Sequence, residues 1–331
     1  MGTEPEFPVP SHELSLEGIR IGHASDLEAL TGATVILCPE GLLGAAEVRG
    51  TATGTRQFDS LVLGHHVASR AHAVVLAGGS GFGLSAADPV VEWLEERGYG
   101  FQTGIRPVPL VPTAILFDLA MGDPSVSPSA EMVREALAGA AAGPVAAGSV
   151  GAGTGASVGK ANGLDCGMKG GFGFASLTVP GGPTVAAAVA VNAFGDVRDP
   201  ATDRIVAGCR TAPDAHTILG ADRVLANLPP EGTHPWEGNT TLAVVMTDAQ
   251  LEKAALMKVC QMSYGGFHRT LVPALSMFDG DLVLTLTTGQ KPAHVNQIGL
   301  LAERAVEAAI LRAVREADGF GVLPAVRDLS G

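Results

Sequence analysis

The chain has 331 residues, 46% hydrophobic and only 17% charged, with 44 glycines and a formal net charge of −13. An acidic chain repels nucleic acid and anionic lipid, and no run of about 18 apolar residues is present to span a bilayer. So little charge in a chain this long implies a large buried core, close backbone packing and apolar surface covered in an oligomer.

The opening, Met1 to His12, is acidic and has neither a basic n-region nor an apolar h-region, so it does not read as a signal peptide. Glu6 stands where a myristoylation signal wants Ser or Thr. Residues 33–38 (Ala-Thr-Val-Ile-Leu-Cys) read as a buried strand and residues 73–76 as another, with a turn-rich stretch from Glu47 to Thr55 between them. Gly78-Gly-Ser-Gly-Phe-Gly follows and leads into a helix over 85–98, with Ala86, Val90, Trp93 and Leu94 on one face. Residues 107–116 are apolar and punctuated by proline, which suits an edge strand.

An alanine-rich helix is expected over 131–142, and the ten glycines of 148–173 imply loops or tight strand turns. Strands over 172–179 and 184–192 form a hairpin around Pro180-Gly-Gly-Pro. Residues 199–239, rich in Pro, Gly, Asp and Asn, read as a long mobile connection. Beyond it lie a strand over 241–246, a helix over 249–262 that is apolar on nearly all sides and hence central, a strand over 281–287 and a periodic helix over 297–317. No internal repeat is visible, so residues 1–331 read as one α/β domain.

Several chemistries are weak here. Gly78 to Gly83 resembles a phosphate loop, but the Walker lysine and a convincing downstream acidic partner are missing, and the G-x-S-x-G spacing fails. The glycines instead let a helix approach a sheet, or present N–H groups to an active site. Cys38, Cys166, Cys209 and Cys260 form no CxxC pair and read as reduced, mostly buried thiols of a cytoplasmic protein. His65-His66 is the one adjacent histidine pair and no H-E-x-x-H occurs, so neither metal nor cofactor is expected. Asp279-Gly-Asp281 lacks the other oxygens of an EF-hand.

The informative junction is Gly238-Asn239-Thr240-Thr241, where a polar stretch meets a β-branched strand. The run Gly238-Asn-Thr-Thr-Leu-Ala-Val-Val-Met-Thr-Asp-Ala resembles the self-cleavage junction of the β-aminopeptidase/D-aminopeptidase family, and most closely its nylon-oligomer hydrolases. Ala33-Thr-Val-Ile, Glu47-Val-Arg-Gly, Leu76-Ala-Gly-Gly-Ser-Gly-Phe-Gly-Leu, Gly151-Ala-Gly-Thr-Gly-Ala-Ser-Val-Gly-Lys, Val189 to Asn192 and Phe278-Asp-Gly-Asp match further family segments in the same order.

The resemblance implies a self-cleaved, N-terminal-nucleophile-like fold, a four-layer α/β/β/α sandwich, with fragments 1–239 and 240–331. It implies cleavage between Asn239 and Thr240, Thr240 as nucleophile, Lys160 beside it, and Asn192 holding the oxyanion or the nucleophile. Asp279 and Asp281 become a carboxylate pair near the processing point, and Gly79, Ser80, Gly81 and Phe117 a substrate or oxyanion loop. Phe117 departs from the tyrosine of the nylon-oligomer hydrolases.

The implied activity is hydrolysis of small peptides or linear amide oligomers by a homotetramer. Two rivals stand beside it. One is an ornithine-acetyltransferase-like acyl transferase, whose junction reads Thr-Met-Leu where this chain has Thr-Thr-Leu. The other is a non-catalytic oligomeric scaffold, which predicts an uncut chain.

The residue chemistry agrees with the first reading. A threonine hydroxyl needs a nearby base, and an α-amine with a pKa of about 7.7–8.0 supplies one. Cleavage before Thr240 creates that amine on the nucleophile itself. In the uncut chain Asp279 or Asp281 is the candidate for orienting or deprotonating the hydroxyl.

Overall fold

Strand Thr240–Ala249 is buried along its whole length because its alternate side chains serve two different cores. Leu242, Val244 and Met246 join Ile36, Val74 and Leu76 in an inner core. Ala243 and Val245 face helices Lys253–Thr270 and Val295–Arg315. A third core packs Val35 and Val75 against helices Ala87–Glu95 and Ala130–Ala138. A computed structural model describes residues 7–228 and 238–329 of the chain.

Nine of the strands form one mixed sheet, and the others make small two- and three-stranded ribbons. Its order is Gly171–Thr178, Thr184–Asn192, Thr240–Ala249, Leu282–Lys291, Thr31–Val48, Arg70–Ala77, Thr113–Ile115 and Thr55–Arg56, with Arg20–Asp26 pairing to Thr31–Val48 off that path. The 18-residue strand Thr31–Val48 serves both halves. Its second half pairs with Leu282 to Thr287 and its first half with Arg20 to Asp26, and its register against Arg70–Ala77 shifts between Leu37 and Leu42. Thr240–Ala249 and Leu282–Lys291 run parallel, and helix Lys253–Thr270 lies between them in the chain, as a parallel pair requires.

Most expected elements appear within a few residues of their places, and three differ. The helix after Thr240–Ala249 is neither central nor apolar all round: it spans Lys253–Thr270, and Ala254, Lys258, Gln261 and His268 face solvent while Leu256, Cys260, Tyr264 and Phe267 face the sheet. Residues 107–116 hold two short strands, Pro107–Val108 and Thr113–Ile115, and the second lies inside the sheet because Thr55–Arg56 takes the edge. The connection 199–239 is largely structured where described: Asp196–Asp199 and Arg204–Ala207 pair antiparallel and helix Ala221–Ala226 follows. Residues 229–237 of that connection lie outside the described residues. Among the described residues no helix is long and apolar enough to cross a membrane.

Candidate active site

Three strand ends meet at the junction. Antiparallel register sets Asn192, the last residue of its strand, opposite Thr240, the first of its own. Parallel pairing of Leu242 with Leu282 brings the turn before Leu282 alongside Asn239, which bridges to Asp279. Gly280 N–H then donates to the Asn239 carbonyl oxygen at 2.8 Å, and Asn239 N–H donates to the Phe278 carbonyl at 3.3 Å. The Thr240 hydroxyl donates to the same Asn239 carbonyl oxygen. Thr240 and Asn239 are both buried.

The segment Asp279 to Asp281 is gripped from behind. Arg49 and Gly50 N–H groups donate to the Asp281 carbonyl at 3.1 and 2.8 Å, and those of Thr51 and Ala52 to the Asp279 carbonyl at 2.9 and 3.1 Å. A Cβ on Gly50 would stand 2.1 Å from Asp281 N, so only glycine fits this approach. The Glu47-Val-Arg-Gly stretch thus holds the donor Gly280 in place.

Lys160 is buried beside Asn192, and its Nζ donates to the Asn192 backbone carbonyl at 3.1 Å and to Asn192 Oδ1 at 3.0 Å. Ser157 N–H donates to the same Oδ1 at 2.9 Å. With Oδ1 so occupied, Asn192 Nδ2 donates to the Phe117 carbonyl at 2.9 Å and, at 3.5 Å, to the carbonyl of Gly238. The asparagine therefore secures the residue before Asn239, and the backbone donor on the Asn239 carbonyl itself is Gly280. Sequence reasoning missed Gly280. Its signal was a glycine flanked by two aspartates, where the reading rested on the carboxylates and not on the N–H between them.

The two carboxylates act on backbone. Asp281 accepts from Thr241 N–H at 2.6 Å and Leu275 N–H at 3.2 Å. Asp279 accepts from Phe194 N–H at 3.0 Å, Ser276 N–H at 3.1 Å and the Ser276 hydroxyl. Among the described residues neither is hydrogen-bonded to the Thr240 hydroxyl. Of the two roles expected from sequence, orienting or deprotonating the hydroxyl, these contacts are of the orienting kind. Burial raises the pKa of both; the Lys160 ammonium opposes this at Asp279, whereas the neighbouring Asp279 charge raises Asp281 further.

A cavity of about 290 Å³ lies against Asn239 and Thr240, lined by Ser80, Gly81, Phe117 and the turn Ala52 to Gly54. A larger groove of about 860 Å³ near Pro8, Leu311 and Arg315 holds none of the candidate residues. Ser80, Gly81 and Phe117 thus reach the junction, whereas Gly79 does not line the cavity. The expectation that the N–H groups of this loop face the site is not met at two positions: Gly79 N–H donates to Asp118 Oδ1 at 2.6 Å and Ser80 N–H to the Leu116 carbonyl at 3.0 Å. All four cysteines are buried and free.

Known proteins resemble this chain over most of its length. Residues 15–323 match peptidase family S58. An uncharacterized aminopeptidase of Mycobacterium leprae is 36% identical over 343 aligned residues, covering 93% of this chain and 91% of that protein. A 6-aminohexanoate-oligomer endohydrolase of Paenarthrobacter ureafaciens is 30% identical, covering 89% and 84%. The L-aminopeptidase D-Ala-esterase/amidase of Ochrobactrum anthropi, described as a variant of the Ntn-hydrolase fold, superimposes with a TM-score of 0.71 at 19% identity over 98% of this chain and 94% of its own. The chain belongs to peptidase family S58, a family of amide-bond hydrolases.

Proposed function

We propose that the chain breaks its own peptide bond between Asn239 and Thr240, and that Thr240, as a new N-terminal residue, hydrolyses amides through an acyl-enzyme. The observation that carries this reading is the double contact on one carbonyl: the Thr240 hydroxyl and the Gly280 N–H both meet the Asn239 oxygen.

In the first step Thr240 Oγ bonds to the Asn239 carbonyl carbon, and charge develops on the oxygen held by Gly280. The C–N bond breaks, the proton given up by the hydroxyl passes to the Thr240 nitrogen, which leaves as an amine, and Asn239 is left as an ester on Oγ. Water hydrolyses that ester and leaves fragments of 239 and 92 residues. In the second reaction the Thr240 amine takes the proton of its own hydroxyl as Oγ attacks an external amide, then gives it to the departing amine. Water releases the acid. Lys160 orients Asn192 and lends positive charge to the site.

Small peptides and linear ω-amino-acid oligomers are the substrate classes, supported by the names of the relatives. The order of the three cores, helices on one half of the sheet, that half on the other half, and the other half on helices, supports an α/β/β/α sandwich. A homotetramer, a cytoplasmic location and a cofactor-free site belong to the same reading.

The test is an intact-mass spectrum of purified protein beside Thr240→Ala. Two fragments for the native chain and one for the variant are expected. An uncut native chain that still hydrolyses a 6-aminohexanoate oligomer sinks the mechanism, and an uncut chain without activity returns the scaffold reading.

A further inference from the structure

Asp118 follows Phe117 in the chain but does not line the cavity beside Thr240; it is buried, 3% exposed, behind it. Its two oxygens hold two separate segments. Oδ1 accepts from Gly79 N–H at 2.6 Å and Oδ2 from the Thr31 hydroxyl at 2.9 Å. A Cβ on Gly78 would stand 2.0 Å from Oδ2, so the first glycine of the loop is what lets the carboxylate come this close.

The turn it holds is unfavourable without help. Gly79 lies at φ 78° and Ser80 at φ 52°, and the second is costly for a residue with a Cβ. A hydrogen bond to an ionised acceptor is roughly twice as strong as a neutral one and offsets that cost. The turn delivers Ser80 and Gly81 to the cavity wall. On the other side, the Phe117 carbonyl receives Asn192 Nδ2. Phe117 and Asp118 together therefore tie the wall of the cavity to the residue opposite Thr240.

We infer that Asp118 is a positioning residue for amide hydrolysis: its carboxylate fixes the Gly79–Ser80 turn against the Phe117 segment and so sets the substrate wall beside Thr240. This rests on the Thr240 reading and adds to it a residue that touches neither substrate nor nucleophile.

The charges around it fit that role. Lys169 is the charged group that faces Asp118; it is fully buried, donates to the Thr154 and Ala156 carbonyls at 2.7 and 2.9 Å, and has Asp318 on its far side. Burial raises the Asp118 carboxyl to about 6, against the opposing bonds from Gly79 and Thr31 and the charge of Lys169. The ionised, turn-holding form is thus lost on mild acidification.

The test uses mature enzyme and a linear 6-aminohexanoate oligomer, with KM and kcat followed from about pH 5 to 9. Asp118→Asn keeps the shape and removes the charge. Complete cleavage at Thr240, a KM raised roughly ten-fold or more, and loss of the acid limb near pH 6 are expected, since small misplacements at a site cost factors up to about a hundred. A variant with native KM and acid limb and only a lowered Tm overturns the inference, leaving Asp118 as packing. Should that variant not fold, Thr31→Val removes the single bond to Oδ2 and is expected to move the acid limb to higher pH; an unmoved limb overturns the inference equally. An uncut native chain is a failure of the Thr240 reading, and a normal Asp118→Asn enzyme that still needs Thr240 is a failure of this one alone.

Discussion

Gly280 donates its backbone N–H to the carbonyl oxygen of Asn239 across 2.8 Å, and that carbonyl is the one the Thr240 hydroxyl touches. The contact comes from strand register, since Asn239 and Asp279 continue the parallel pairing that begins with Leu242 and Leu282. A backbone donor placed by register needs no reorganisation when charge appears on the oxygen, which is what oxyanion stabilisation demands.

Gly280→Ala tests that donor. A Cβ there would lie 2.5 Å from the Ala52 carbonyl oxygen and 2.7 Å from Thr240 Oγ1, so the N–H and the hydroxyl must separate. Processing is expected to slow by about 10²–10³, the usual cost of a lost oxyanion donor. A time course of intact mass after expression measures it; a native ratio of cut to uncut chain removes Gly280 from the mechanism.

Lys160→Met takes the ammonium from between Asn192 and Asp279. Asn192 Oδ1 loses one of its donors in a buried place, at a cost of about 1–3 kcal/mol, and the Asp279 carboxyl rises further for want of the opposing charge. A lower Tm, accumulation of uncut chain and a processing optimum moved to higher pH are expected. A processing profile unchanged in pH shows that Lys160 only packs.

The buried charges make stability depend on pH with a definite sign. Asp118 and Asp196 are each raised by burial to about 6 from 3.8, so the folded state holds their protons more tightly and the stability they add at low pH is lost between about 4 and 6. Lys169 is lowered by burial to about 7 from 10.5, so the unfolded chain binds the extra proton and stability rises from about pH 7 to 10.5. Urea unfolding of the Thr240→Ala chain across pH 4 to 10 (about ten points) reads both limbs. In Lys169→Met the upper limb is expected to flatten; an unchanged slope there assigns it to other groups.

Burial also raises the thiols, Cys38 and Cys260 to about 12 and Cys209 to about 11. Thiolates are the reactive form, so native protein near pH 8 is expected to resist iodoacetamide at these positions. Hydrolysis should then be unaffected by the reagent and by a chelator such as EDTA. Rapid inactivation by either would point to chemistry that Thr240 does not supply.

The order of short motifs along the chain was enough to place it among the S58 peptidases, because stretches that match family segments, such as Glu47-Val-Arg-Gly and Phe278-Asp-Gly-Asp, are local and legible without their neighbours. The apolar, β-branched run over 241–246 likewise announced a strand, since such side chains fit a pleated sheet wherever it is buried. Where the chain gave a wrong impression, composition had stood in for packing. Residues 249–262 looked apolar all round, yet the helix covers the sheet with one face and wets the other.

What no stretch of sequence could disclose was the pairing of distant segments. Gly280 becomes a donor only when a parallel register sets it against Asn239, and Asp118 becomes the anchor of Gly79 only when 39 residues of chain fold back on themselves. The identity of a residue carries its chemistry, whereas the direction of an N–H and the burial that shifts a carboxyl arise from non-local contacts. The chemical types at the junction were therefore legible one by one, and their partners, Thr31, Ser157, Ser276 and Lys169 among them, were given by the fold.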